Sequence, residues 1–269
     1  MANTLYDALF APHRNNPNPF LVSDDGTVLS YATFVERAAQ MAQVLATAGV
    51  RPGDRVVVQA PKTADTLALY AGSVQAGAVY LPLNTAYTDT ELAYFVEDAS
   101  PRLLVCDARD EARLTPLAEK VGASVLSLSS GADPGSLSGM ADGQATEFET
   151  VERGPDDLAA LLYTSGTTGR SKGAMMSHRN LLSNAEVLVD LWQITGEDRL
   201  IHALPIFHTH GLFVAMNTSL LAGAEVRLME HFDLDAILDE MPRSTLMMVV
   251  PTFYTRLLGR VDFGRDSVR

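Results

Sequence analysis

The sequence predicts an α/β protein built on doubly wound, mostly parallel sheets. Three observations carry this. Short apolar runs of strand length, such as Arg55 to Gln59, Leu103 to Cys106 and Leu200 to Leu204, alternate with segments of helical period along most of the chain. The connections between them are short, as β-α-β crossovers allow. One apolar run, Leu158 to Tyr163, empties into ten residues of Thr, Ser, Gly, Arg and Lys. Helical periodicity resumes after Ser177, so the layout reads as strand, small-residue loop, helix.

Taken in order, Thr4 to Phe10 has the pattern of a short amphipathic helix, ended by Pro12, Pro17 and Pro19. Phe20-Leu21-Val22 and Val28-Leu29-Ser30 flank the turn signal Asp24-Asp25-Gly26 and predict a hairpin. Ser30 can cap the next helix, where Phe34, Ala38, Met41 and Leu45 fall on one face and Gly49 lies past the end. Pro52-Gly53-Asp54 turns into the strand from Arg55 to Gln59. Thr66 to Gln75 reads as helix and Ala78 to Leu83 as strand. Thr88-Asp89-Thr90-Glu91 is a capping box opening a helix to Ala99. A strand at Leu103 to Cys106, a helix at Glu111 to Lys120 and a strand at Ser124 to Leu128 follow. Residues 129–155 are rich in Gly, Ser, Ala and acidic side chains without apolar period, and predict a surface loop.

Beyond the small-residue loop the alternation continues. Helices are expected near His178 to Trp192, Leu212 to Leu221, Leu234 to Glu240 and Thr252 to Leu258. Strands are expected at Leu200 to Leu204, Glu225 to Met229 and Leu246 to Val250. The expected organisation is a first α/β subdomain over 1–128, the loop 129–155, a second α/β subdomain over 156–258 and a divergent tail over 259–269.

Composition narrows the function classes. The 269 residues are 47% hydrophobic and 20% charged, which suits a globular protein with a sizeable core. A net charge of −13 argues against nucleic acid and against an anionic membrane as partner. The single cysteine, Cys106, excludes an internal disulfide and lies in an apolar strand pattern that marks it as a packing residue. No basic-then-apolar leader is visible, and no apolar run approaches about 18 residues. A cytoplasmic protein is expected.

The small-residue loop is the first chemical signal. Glycines at 166, 169 and 173 can take positive φ and turn successive N–H groups inward. Thr164, Ser165, Thr167 and Thr168 add hydroxyl donors without bulk, and Lys172 supplies a point charge for phosphate oxygens. Neither a Walker loop nor G-x-G-x-x-G fits the spacing. The alternative is a flexible Ser/Thr/Gly linker, which rarely sits between a buried strand and a helix.

Tyr163-Thr-Ser-Gly-Thr-Thr-Gly-Arg-Ser-Lys-Gly173 resembles the signature loop of the adenylate-forming enzymes: acyl- and aryl-CoA synthetases, luciferases and peptide-synthetase adenylation domains. The resemblance implies that Thr164, Ser165, Gly166, Thr167, Thr168, Gly169 and Lys172 hold the β- and γ-phosphates of ATP. A second stretch, Leu204-Pro-Ile-Phe-His208-Thr-His210-Gly-Leu212, follows a strand and opens a helix, which places it at the carboxyl end of a sheet, on the same edge as the loop. Read alone, its two histidines fit either hydrogen-bonded loop residues or a metal pair, although no Cys/His partners with ligand spacing accompany them. By resemblance the segment lines the carboxylate pocket, and Phe207-His-Thr-His-Gly211 resembles the malonyl-CoA synthetase branch. Val249 to Leu258 looks like the strand and helix that wall the acyl pocket. Arg256 there is either a fork for a second carboxylate or a surface arginine on an amphipathic helix. Gly77 to Asn84 matches a structural segment of the same family.

The resemblance implies activation of a small carboxylate, malonate favoured, as acyl-adenylate for transfer to coenzyme A, with ATP and Mg²⁺. Acetyl- or aryl-CoA synthetase-like ligation and a non-catalytic ATP-binding remnant are the rivals. Family members are longer, so the expectation is an incomplete amino-terminal domain lacking the adenylation lysine, the carboxy-terminal domain and therefore any assignable catalytic residue. Self-association through surfaces left uncovered is expected.

Overall fold

The computed structural model describes residues 3–164, 171–261 and 263–264. Asn3 caps α1 (Thr4–Leu9), its side chain accepting from the Tyr6 N–H. The hairpin strands β1 (Pro19–Val22) and β2 (Val28–Ser30) precede α2 (Tyr31–Thr47). Then come β3 (Arg55–Gln59), α3 (Ala64–Gln75) and β4 (Val79–Pro82). Helix α4 (Asp89–Ala99) opens with the Thr88/Glu91 capping box. It leads to β5 (Leu103–Cys106), α5 (Glu111–Lys120), β6 (Ser124–Ser127) and α6 (Ser136–Asp142). The strands β7 (Leu158–Thr164) and β8 (Lys172–Ser177) are followed by α7 (His178–Trp192) and β9 (Arg199–His202). A π-helical stretch, His210–Met216, runs into α8 (Asn217–Ala222). The rest is β10 (Glu225–Leu228), α9 (Leu234–Glu240), β11 (Leu246–Met247) and α10 (Pro251–Leu258).

These elements form two compact units, Met1–Asn15 with Ala32–Leu182, and Asn16–Tyr31 with Ser183–Arg269. In the first, the sheet order among described residues is β6-β5-β3-β4-β7-β8. Pairing is parallel up to β7, and β8 returns antiparallel. Val57, Leu81 and Leu104 carry one core layer against Leu92, Phe95 and Val96 of α4. Cys106 packs in the same core, and burial pushes its thiol up to about 12, which disfavours the thiolate. Elsewhere in this unit an aromatic chain runs through Tyr6, Phe10, Tyr70 and Tyr80, with centroids 5.3–6.0 Å apart.

In the second unit the order is β11-β9-β10-β1-β2. Strand β1 pairs parallel with β10, Leu21 opposite Val226, although about 200 residues separate them. Phe20 stacks on Tyr31 at 4.4 Å, and the Tyr31 hydroxyl donates to the Ala224 carbonyl at 2.7 Å. Buried Glu240 is paired with Arg199 and Arg227.

Two expectations change. Residues 129–155 are not wholly loop: α6 buries Leu137 and Ala141, and its Ser138 hydroxyl donates to Asp65, which also pairs with Arg37. Seven residues are too few turns to show a helical period in a Gly/Ser-rich stretch. The expected division at 155/156 also falls inside one unit, because β7 is hydrogen-bonded to β4. Among the described residues no helix is long and apolar enough to cross a membrane.

Candidate functional site

In the first unit the small-residue loop is the tip of a β-hairpin. β7 and β8 pair from Leu158 opposite Ser177 to Thr164 opposite Lys172, so the loop closes between those last two residues. Ser165, Gly166, Thr167, Thr168 and Gly169 lie outside the described residues. The expected strand–loop–helix layout is therefore strand–loop–strand. Helix α7 begins only at His178, roughly 17 Å of strand beyond Lys172. Helix-dipole stabilisation fades within about one turn of a terminus. The N-terminus of α7 is therefore too far from Lys172 to add positive potential there. Lys172 itself is exposed. Gly173 does not use positive φ, contrary to expectation; a Cβ there would sit 3.2 Å from the Leu161 Cδ1 across the hairpin, so close approach accounts for it.

Helix α4 secures both ends of this loop. The Tyr163 hydroxyl donates to Asp98 at 2.5 Å, and burial together with that carboxylate raises the Tyr163 pKa, keeping it a proton donor. On the returning strand side, the Tyr94 hydroxyl donates to the Ser171 carbonyl at 2.7 Å. Phe95 fills the space between, 4.5 Å from Tyr163 by ring centroids. At the far end of β8, the fully buried His178 accepts from the Leu5 N–H at Nδ1, 3.3 Å. Burial, with Arg153 nearby, pulls its pKa down to about 4, so the ring is neutral at pH 7.

In the second unit, β9 ends at buried His202, whose Nε2 lies 2.7 Å from the Gly211 carbonyl oxygen. This contact ties the strand to the start of the π-helical stretch. A Cβ on Gly211 would lie 2.1 Å from the Pro205 carbonyl oxygen, so only glycine allows the intervening segment to fold back this tightly. His208 is exposed on that segment, packed beside Phe207 at 4.6 Å between ring centroids. Partial desolvation of its ring lowers its pKa although the residue as a whole meets solvent. His210 is half-buried and begins the π-helical stretch, a form enriched at functional sites. Arg256 lies in the last turn of α10, exposed, with its guanidinium 5.5 Å from the Phe232 ring centroid. That contact fits a surface arginine held on an aromatic platform.

The two stretches do not share one sheet edge as expected, because β7 and β9 belong to different sheets. Sequence reasoning also missed Tyr94, Asp98 and His202. A tyrosine in a helix or a histidine ending an apolar strand carries no local signal of its distant partner. Among the described residues no group of three or more His, Cys, Asp or Glu could hold a metal ion.

A family model described as AMP-binding enzyme matches residues 10–267. Feruloyl-CoA synthase from an Amycolatopsis species is 36% identical over 244 residues, 90% of this chain and 47% of that protein. The mitochondrial malonate–CoA ligase of Mus musculus is 35% identical over 196 residues, 71% of this chain and 33% of its own length. Among solved structures, apo MatB from Rhodopseudomonas palustris shares 49% identity at a TM-score of 0.95, covering 98% of this chain and 53% of that one. The ATP-bound form of MatB matches equally. The chain spans from a third to about half the length of these relatives. It belongs to the AMP-binding enzyme family.

Proposed function

We propose that this member of the AMP-binding family forms the ATP- and carboxylate-binding portion of an AMP-forming acid–thiol ligase, with malonate as the acid and coenzyme A as the acceptor. A carboxylate is a poor acyl donor because its leaving group would be oxide. Attack of the carboxylate on the α-phosphate of ATP gives an acyl-adenylate and pyrophosphate, and the thiol then displaces AMP. The carboxylate is already ionised near pH 7, so the first step needs no general base. It needs positive charge and aligned donors around the triphosphate. Thr164, Lys172 and the loop residues 165–169 take that role, His208 and His210 line the acid, and Arg256 pairs with the far carboxylate of malonate. The observation that carries the reading is the β7–β8 hairpin, which presents an exposed lysine at the closing position of a Ser/Thr/Gly loop. Similarity to malonate–CoA ligases supports the choice of acid.

The test is malonate-dependent exchange of labelled pyrophosphate into ATP by the 269-residue chain and by Lys172→Ala. Exchange that falls by about a hundredfold in the variant supports the proposal. Binding of ATP without exchange marks a non-catalytic nucleotide-binding chain instead. The relationship to feruloyl-CoA synthase favours a second reading, an aromatic acid, and exchange driven by ferulate but not malonate selects it. Arg256→Leu separates the two, since only a dicarboxylate loses from it. Exposed apolar side chains, Leu191 (68%), Leu258 (72%) and Val261 (104%), support self-association, which sedimentation across a concentration series would read as a rising mass.

A further inference from the structure

The chain holds three lysines, Lys62, Lys120 and Lys172, among twenty lysines and arginines. Lys120 is exposed at the end of α5, and Lys172 is exposed at the closing position of the β7–β8 loop. Lys62 is buried, only 9% exposed. Lysine side chains almost never reach that depth unless something meets their charge. Taking an ammonium out of water is costly, so its place in the fold matters.

Lys62 follows β3 and directly precedes Thr63, the N-cap of α3. Strand β3 runs parallel to β4, and β4 runs parallel to β7, with Val56, Tyr80 and Ala160 abreast. From that level β3 continues three residues to Gln59 and β7 continues four to Thr164. Their carboxyl ends therefore reach the same sheet edge, two strand spacings or about 10 Å apart. The segments beyond them are joined. Gln59 Nε2 donates to the Asn84 carbonyl after β4 at 2.9 Å. From there the rings of Tyr87, Phe95 and Tyr163 follow one another, with centroids 4.9 and 4.5 Å apart. The strand order also reverses here: β4 lies on one side of β3, and the chain then crosses back to β5 on the other. Open α/β sheets bind ligands outside the carboxyl ends of their strands at such a reversal. We propose that Lys62 supplies a second positive charge to the triphosphate site, acting with Thr164 and Lys172 on the β- and γ-phosphates of ATP. This rests on the reading of the β7–β8 loop as that site. A charge held at the sheet edge is screened less than one in solvent, and it is already in place when ATP arrives.

The test is calorimetric titration of the full chain with ATP and with AMP, alongside Lys62→Met, Lys62→Arg and Lys120→Met. In Lys62→Met, ATP affinity is expected to fall about tenfold while AMP affinity changes by less than about twofold. Lys62→Arg keeps the charge and is expected to hold ATP within about threefold of the parent chain. Lys120→Met makes the same change in net charge at an exposed position and is expected to match the parent. A perturbed fold weakens both nucleotides together, so the ratio of ATP to AMP affinity reads charge and not packing. An unchanged ratio in Lys62→Met overturns the proposal. So does an equal loss of ATP affinity in Lys62→Met and Lys62→Arg, which would mark a packing role. An equal loss in Lys120→Met overturns it as well, since that is the net charge of the chain. A parent chain that binds neither nucleotide defeats the reading of the loop itself, and this proposal with it.

Discussion

The two units place their candidate side chains by different means. In the first, Lys172 sits on a strand paired along its length with β7, itself paired with β4, and α4 pins both ends of the loop through Tyr163–Asp98 and Tyr94–Ser171. In the second, His208 and His210 stand after β9 has ended, and Arg256 rides on an eight-residue helix that buries only Leu257. The difference would suit the two roles proposed for them. Phosphate can be held by charge and backbone N–H groups, which one local hairpin can present, whereas the proposed acid-contacting side chains stand on segments beyond a strand end and on a short helix.

The largest expected effect tests that last point. Gly211→Ala drives a methyl group into the Pro205 carbonyl and is expected to cost roughly 3 kcal/mol or more. A urea melt followed by Trp192, the only tryptophan and a residue of the second unit, reads the loss. A shift below about 1 kcal/mol would show that the segment yields, and the contrast with the hairpin would sharpen into rigid against pliant.

Next is a pH effect on the first unit. Folding depresses the His178 pKa from its ordinary 6.5 to about 4. Between those values the unfolded chain binds the extra proton, so stability is fully present above about pH 6.5 and declines toward pH 4. The melting temperature is expected to fall by roughly 5 °C across that window, and His178→Gln should flatten this part of the profile. An unchanged profile in the variant would place the acid sensitivity elsewhere.

The smallest effect compares two tyrosine hydroxyls. Tyr94→Phe removes the hydroxyl that holds the Ser171 carbonyl and is expected to cost about 1 kcal/mol. Faster amide exchange over residues 171–173 and weaker ATP binding should accompany it. Tyr254 in α10 is half exposed, and Tyr254→Phe should stay within about 0.5 kcal/mol. Equal effects at the two positions would erase the proposed distinction between a pinned loop and a loosely set helix.

Some of this was legible in the order of residues and some was not. The Thr88 capping box, the β1–β2 hairpin and α9 at Leu234–Glu240 match expectation because caps and turns act over three or four residues. Strand β8 was missed because Lys-Gly-Ala-Met-Met-Ser has little strand propensity of its own; it is extended because β7 offers it a ladder. Without β8 the order of residues reads as strand, loop, helix instead of strand, loop, strand. His202 looked like the end of an apolar strand, and the fold-back at Gly211 brings a carbonyl oxygen to its ring.

The sequence by itself determined the α/β class, most element boundaries and the family, through periodicity, caps and a long local motif in which every informative residue lies close to the next. The tertiary structure decided that β1 joins β10, that β7 and β9 lie in separate sheets, and which tyrosines hold the residues flanking the Ser/Thr/Gly stretch. Those outcomes depend on which backbone edge and which apolar face are left unpaired once neighbouring elements have formed. Backbone N–H and C=O groups are alike in every strand, so the choice among edges is made by packing across the whole unit.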